Sequence, residues 1–210
     1  MCIPTVHVPS QMAEVLSLID LYFDEQEIDE VGFTMDTSLP SVVYVEGKLG
    51  IALASAKHLL RYALSEFREI MRSKPGQLDQ YLQSHSTKLN SLTRAILLVK
   101  GDISSALTCR KMLIRASKGE VSSSAKREIG LSSVLLNKHP KHANCWLHRR
   151  WCLAHSSEAV DIAGEVALCT HIAQNTPKNY YTWVHRLWIL QFMNRQQVRT
   201  VSEPYHNKGI

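Results

Sequence analysis

The sequence predicts an all-α protein, a right-handed alpha-alpha superhelix built as a solenoid of helical hairpins. Two observations carry this. The pattern Pro-Lys-x-x-x-x-Trp-x-His-Arg-x-Trp occurs twice, as Pro140, Lys141, Trp146, His148, Arg149, Trp151 and as Pro177, Lys178, Trp183, His185, Arg186, Trp188, and it uses all 4 tryptophans of the chain. Six identities in one register, 37 residues apart, mark stacked helical repeats, whose periods run from roughly 20 to 50 residues. The second observation is that almost every patterned segment has apolar residues at helical spacing. A decayed third copy precedes the first by 39 residues, with Leu107 in the tryptophan slot and Arg110 in the arginine slot.

In chain order, Val15, Leu16, Leu18, Ile19, Tyr22 and Phe23 recur at three and four and predict a helix over 11–26. A polar stretch from Asp29 to Pro40 follows. Ser41 to Val45 has strand-like composition, but with no second strand evident it reads as an extended connector. Ala52, Ala56, Leu59, Leu60, Ala63, Leu64, Phe67 and Met71 predict one helix from Leu49 to Arg72, stopped by Lys74-Pro75-Gly76. Helices over 78–99 and 104–115 are separated at Gly101. Ser122 to Ser124, after Gly119, stand where an N-cap belongs, with Ile129, Val134, Leu135 and Leu136 continuing the apolar face. The final pair is expected over 158–174 and 179–194. These readings divide the chain into an N-terminal helical region (1–76), helical repeats (77–195) and a polar C-terminal tail (196–210).

The repeated residues have structural reasons to be where they are. A loop proline stops the preceding helix because it lacks an N–H and forces its neighbour out of the helical region. Trp183, Leu187 and Leu190 form one ridge and Val184, Trp188 and Phe192 a second. A helix apolar over so wide an arc is expected to be covered on two sides. Arg186, one turn from Trp183, is expected on the buried side, bonded to a carboxylate or a helix-end carbonyl of the adjacent repeat, because an unpaired buried guanidinium is costly, and the recurrence of Arg110 and Arg149 in the same slot favours a structural role. The tail after Asn194 shows no helical period, so the face bearing Trp188 and Phe192 is expected to lack cover and the chain reads as a shortened array.

Composition narrows the function. With 210 residues, 45% hydrophobic and 20% charged, the chain can bury a core. The net charge of +5 is modest and runs of five or six like charges are absent, which argues against a nucleic-acid arm. The longest uncharged apolar run, Ala95 to Val99, is far below the ~20 residues a membrane-spanning helix needs. Met1-Cys2-Ile3-Pro4 lacks a secretory layout, and 5 cysteines without a CxxC read as reduced thiols, so a cytoplasmic location is expected.

Asn179-Tyr180-x-x-Trp183-x-x-Arg186 and the parallel Trp146-x-x-Arg149 resemble the repeat of protein prenyltransferase alpha subunits. The degenerate first unit, with Ile28 to Phe33 and Val45 to Gly50, extends the resemblance over 27–193. It implies a crescent of hairpins that scaffolds a separate beta subunit, that of Rab geranylgeranyltransferase. The beta subunit holds the catalytic zinc, so no cofactor is implied in this chain. The implied reaction is geranylgeranyl transfer to a C-terminal cysteine of a SNARE-type protein. In this family a Lys-Asn-Tyr triplet opens one repeat helix and faces the isoprenoid diphosphate, and Lys178-Asn179-Tyr180 stands in that register, which makes Lys178 and Tyr180 the candidate catalytic-edge residues. A helix start favours an anion and an adjacent ammonium adds a compact charge. The alternative is that Lys178 is a solvated loop lysine, as Lys141 would be. A further alternative is a helical-repeat binding scaffold without a transferase partner.

A metal centre is the sharpest rival, since Cys145, His148, Cys152 and His155 have soft-ligand spacings. Positions ten apart on one helix are ~15 Å apart, too far for one zinc with ~2 Å bonds, so no metal site is expected. The basic cluster Lys138, His139, Lys141, His142, Arg149 and Arg150 lacks interleaved exposed aromatics and reads as a solvated or subunit-facing edge.

Overall fold

The computed structural model describes residues 8–72, 78–117, 121–156 and 160–202. It is an all-α helical-repeat fold with one minor sheet. The chain forms two compact units, Met1–Glu158 and Ala159–Ile210.

In the first unit, α1 (Val8–Glu25) precedes strands β1 (Glu30–Thr34), β2 (Val42–Val45) and β3 (Lys48–Ala52), followed by α2 (Leu53–Arg72) and α3 (Leu78–Ser84). The hairpins α4 (Ser86–Val99) with α5 (Ser104–Ala116), and α6 (Val121–Lys138) with α7 (Ala143–His155), complete it. α1 buries Met12, Val15, Leu16 and Ile19 but leaves Leu18 and Leu21 exposed. α4 is the central helix: Leu89, Leu92, Ala95, Ile96, Leu97 and Leu98 are all buried, because α1, α2, α5 and α6 pack around it.

The sheet corrects the reading of Ser41 to Val45 as a connector. Its order is β1-β3-β2, with β1 parallel and β2 antiparallel to β3. β2 and β3 form a hairpin closed by Glu46 and Gly47, both at positive φ (46° and 80°), the backbone that two-residue hairpin turns require. Gly47 is also held by close approach, since a Cβ there would meet the Asp29 carboxylate at 2.7 Å. The partner strands escaped notice for separate reasons. β1 buries only Val31, and the alternation of buried Leu49 and Ile51 in β3 was absorbed into the apolar series of the next helix, which begins at Leu53 rather than Leu49. The outer edge of β1 is covered by the end of α6: Asn137 donates to Asp29 O (3.0 Å) and Lys138 to Val31 O (3.3 Å).

Other boundaries moved. The segment 78–99 is two helices, broken at His85, whose ring lies tilted against Tyr81 with centroids 4.2 Å apart and also engages the Tyr81 carbonyl. Ser122 to Ser124 lie inside α6 rather than at its cap. Lys74-Pro75-Gly76, Gly119, Glu158, the segment before residue 8 and residues 203–210 lie outside the described residues.

The second unit is the hairpin α8 (Ile162–Asn175) and α9 (Tyr180–Ser202). Asp161 caps α8 by accepting from Gly164 N at 2.9 Å. α9 runs on to Ser202, past the helix end expected at Asn194, so the start of the expected tail is helical.

Candidate functional site

Each repeat hairpin is locked by its own signature residues. Trp146 Nε1 donates to Pro140 O at 2.8 Å, and Trp183 Nε1 donates to Pro177 O at 3.3 Å. In both repeats the indole therefore ties the second helix to the loop proline that begins the corner. His142 N to His139 O (3.2 Å) and Asn179 N to Thr176 O (3.1 Å) are equivalent loop bonds. The loops are thus the same structure written twice.

The repeat arginines bind back onto the first helix of their own hairpin. Arg110 Nη1 donates to Asn90 O (3.1 Å) and Thr93 Oγ1 (2.9 Å). Arg149 Nη1 donates to Ile129 O (2.8 Å), Ser132 Oγ (2.8 Å) and Ser133 Oγ (2.9 Å). The carbonyl and the first hydroxyl occupy equivalent positions in the two hairpins, which shows that the degenerate α4–α5 pair keeps the repeat geometry. Arg186 departs from the expectation. It is only half-buried, and no hydrogen bond to it is seen among the described residues. The position that supplies the hydroxyl in the other hairpins is Cys169 here.

Sequence reasoning missed the acidic partners. Glu128 on α6 receives Arg110 Nε and Nη2 at 2.6 and 2.7 Å and His148 Nε2 at 2.8 Å, with all three residues buried. Burial pushes the Glu128 carboxyl up, but the Arg110 charge and the hydrogen bonds from His148 and Arg110 outweigh it and hold the group well below the usual carboxylate range. The second unit repeats the histidine–carboxylate pair, with His185 Nε2 2.9 Å from Glu165 and both side chains buried. The signal was present: Glu128 and Glu165 are separated by the same 37 residues as the two histidines.

The predicted edge residues sit at the start of α9. Asn179 is 2% exposed and its Oδ1 accepts from Tyr181 N at 3.2 Å, so it caps the helix. Lys178 and Tyr180, on either side of it, are exposed, Tyr180 at 71%. The cap is the structural residue of the triplet, and its neighbours are the accessible ones. Below them Trp183, Leu187 and Leu190 are 51%, 57% and 50% exposed. This corrects the expectation that the face bearing Trp188 and Phe192 would lack cover: the ridge of Val184, Trp188 and Phe192 is half-buried, and the ridge of Trp183, Leu187 and Leu190 is the exposed one. Trp146, in the same slot, is 2% exposed.

The residues weighed as metal ligands are otherwise engaged. Cys145 Sγ donates to Gly101 O (3.2 Å), His148 is bound to Glu128, and His155 Nδ1 lies 2.8 Å from Trp151 O. Burial pushes the Cys145 and Cys152 thiols up to about 12, which disfavours the thiolates that zinc requires. Among the described residues no group of three or more His, Cys, Asp or Glu could hold a metal ion. The basic cluster is likewise dispersed, since Lys138 lies over Phe33 at 3.6 Å and Arg149 is buried. Among the described residues no helix is long and apolar enough to cross a membrane.

The sequence matches the family described as Protein prenyltransferase alpha subunit repeat over residues 125–156 and 162–193, which are α6–α7 and α8 with the first part of α9. It is similar to Protein prenyltransferase alpha subunit repeat-containing protein 1 of Danio rerio, 28% identical over 124 residues, covering 59% of this chain and 26% of the relative. The protein 1-A of Xenopus laevis is 27% identical over 143 residues (66% and 31%), and the Homo sapiens protein is 30% identical over 112 residues (53% and 25%). The chain thus spans about a quarter to a third of the length of these relatives. Two segments of the chain thus match the protein prenyltransferase alpha subunit repeat, and the relatives that the chain resembles carry that repeat in their names.

Proposed function

We propose that this chain serves as the alpha-type scaffold of a heterodimeric protein prenyltransferase, presenting the start of α9 to a catalytic beta subunit. The single observation that carries the reading is the Lys178-Asn179-Tyr180 corner: a buried cap holds the helix start rigid while a lysine and a tyrosine beside it stay accessible. A first helical turn offers free N–H groups to an anion, and the Lys178 ammonium adds a charge suited to a departing diphosphate. In this reading the zinc of such an enzyme is held by the beta subunit. The family name of the relatives supports the subunit class. The finer assignment, to the beta subunit of Rab geranylgeranyltransferase, geranylgeranyl transfer to a SNARE-type protein with a C-terminal cysteine, and a cytoplasmic setting, is our proposal.

Co-expression with that beta subunit, followed by size-exclusion chromatography, tests the reading. A co-eluting one-to-one complex is expected. Separate elution at micromolar concentration would favour a helical-repeat binding scaffold with no transferase partner.

A further inference from the structure

A cationic face runs along the ends of α5 and α7. On α7, Trp151 and His155 are one turn apart and their rings stack at 4.1 Å. On α5, Lys111 and Arg115 are also one turn apart and converge on the same indole, with Lys111 Nζ 5.7 Å and Arg115 Cζ 5.3 Å from its centroid.

Neither cation meets a carboxylate among the described residues, and in this they differ from Arg94, Arg110 and Lys88. Arg94 is bound to Asp20 at 2.9 Å, Arg110 to Glu128 at 2.6 Å, and Lys88 to Glu66 at 2.6 Å. Lys111 is half-buried, and burial, with the Arg115 charge adding to it, holds its ammonium below the ordinary lysine range. Like charges one turn apart on a helix repel by a few tenths of a kcal/mol. The helix C-terminus offsets this for Arg115, in the last turn of α5, but the dipole effect falls off within that turn and Lys111 lies a turn earlier. The indole face offers each cation about 0.5–1 kcal/mol, less than a carboxylate at hydrogen-bond distance would give.

We propose that this face docks an acidic helix of a partner protein, with two carboxylates one turn apart meeting Lys111 and Arg115 while its apolar flank lies on Trp151. The spacing selects this occupant. Residues four apart rise ~6 Å along any α-helix, so a Glu/Asp pair at i and i+4 matches the two cations at once. A small oxyanion could bridge them only at a single point. The proposal is independent of the transferase reading, because none of these residues belongs to the Lys178 corner.

The test is fluorescence anisotropy on the full chain with a labelled alanine-based helical peptide carrying Glu at i and i+4, against its Gln counterpart, at low salt and pH 7.5. The Glu peptide is expected to bind about tenfold more tightly than the Gln peptide, the yield of two partly desolvated ion pairs, and to weaken as salt is raised. Lys111→Gln/Arg115→Gln should abolish the difference, whereas Lys57→Gln, an exposed lysine on α2, should preserve it. Circular dichroism reports whether each variant folds; if the double variant does not, the single Lys111→Gln serves, with a loss of about half the preference in logarithmic terms. Equal binding of the two peptides, an undiminished preference in a folded Lys111→Gln/Arg115→Gln variant, or displacement of the peptide by sodium diphosphate at lower concentration than by unlabelled peptide would overturn the proposal.

Discussion

Glu128 accepts two parallel hydrogen bonds from Arg110, at 2.6 and 2.7 Å, across the boundary between consecutive hairpins. His148 adds a third at 2.8 Å, so one buried carboxylate joins α5, α6 and α7. Such a cluster stabilises the array only while it is complete, because each charge has lost its water and depends on the others.

Removing the guanidinium alone should therefore be severe. Arg110→Met leaves the Glu128 carboxylate buried with only His148 and is expected to cost about 3–5 kcal/mol in urea unfolding. Arg110→Met/Glu128→Leu, which removes both charges, should recover much of that loss. A single-variant cost below about 1 kcal/mol would place the cluster among the ordinary surface pairs.

The same carboxylate sets an acid dependence. Its value in the folded chain is depressed, so its stabilisation is fully present above the unfolded-state value of about 4.3 and is lost as pH falls from there toward the lower folded value. Unfolding free energy should fall between about pH 5 and pH 2. Glu128→Gln, destabilised at neutral pH, should show a shallower decline over that window. Parallel pH profiles for the two proteins would assign the acid sensitivity to other groups.

The two repeat tryptophans should differ sharply. Trp146 is 2% exposed and Trp183 51% exposed, although each bonds its own loop proline. Trp146→Ala is expected to cost about 3–5 kcal/mol, and Trp183→Ala roughly 1 kcal/mol or less in the isolated chain. Equal costs would show that α9 packs in solution as α7 does.

Lys178 and Lys141 form an internal comparison, since both follow the loop proline and both are exposed. In a competent heterodimer Lys178→Ala should slow the chemical step by on the order of a hundredfold and leave beta-subunit binding intact, while Lys141→Ala should change little. Small, equal effects would return Lys178 to the role of a solvated loop lysine.

How much of this was legible in the sequence depended on whether a residue's partner was also periodic. Trp146, Arg149, Trp183 and the loop prolines repeat visibly, and the hairpins with their corners followed from them. Glu128 repeats too, as Glu165, but a lone carboxylate in an amphipathic helix carries no local signal, and only the fold brings it against Arg110 and His148. The sheet was hidden for a different reason: β1 pairs with β3 across 18 positions and buries one apolar side chain, so no window of the sequence shows its period. The exposure of Trp183 was not readable at all, because a repeat motif records the slot and leaves open whether a neighbour fills it.

The most direct measurement of the central claim is thioether formation from geranylgeranyl diphosphate and a cysteine-tailed protein, assayed with this chain alone, with zinc-loaded beta subunit alone, and with both. The account predicts product only from the mixture, lost when the zinc is stripped. Product from this chain alone, or from the beta subunit alone at a rate that this chain does not raise, would contradict it.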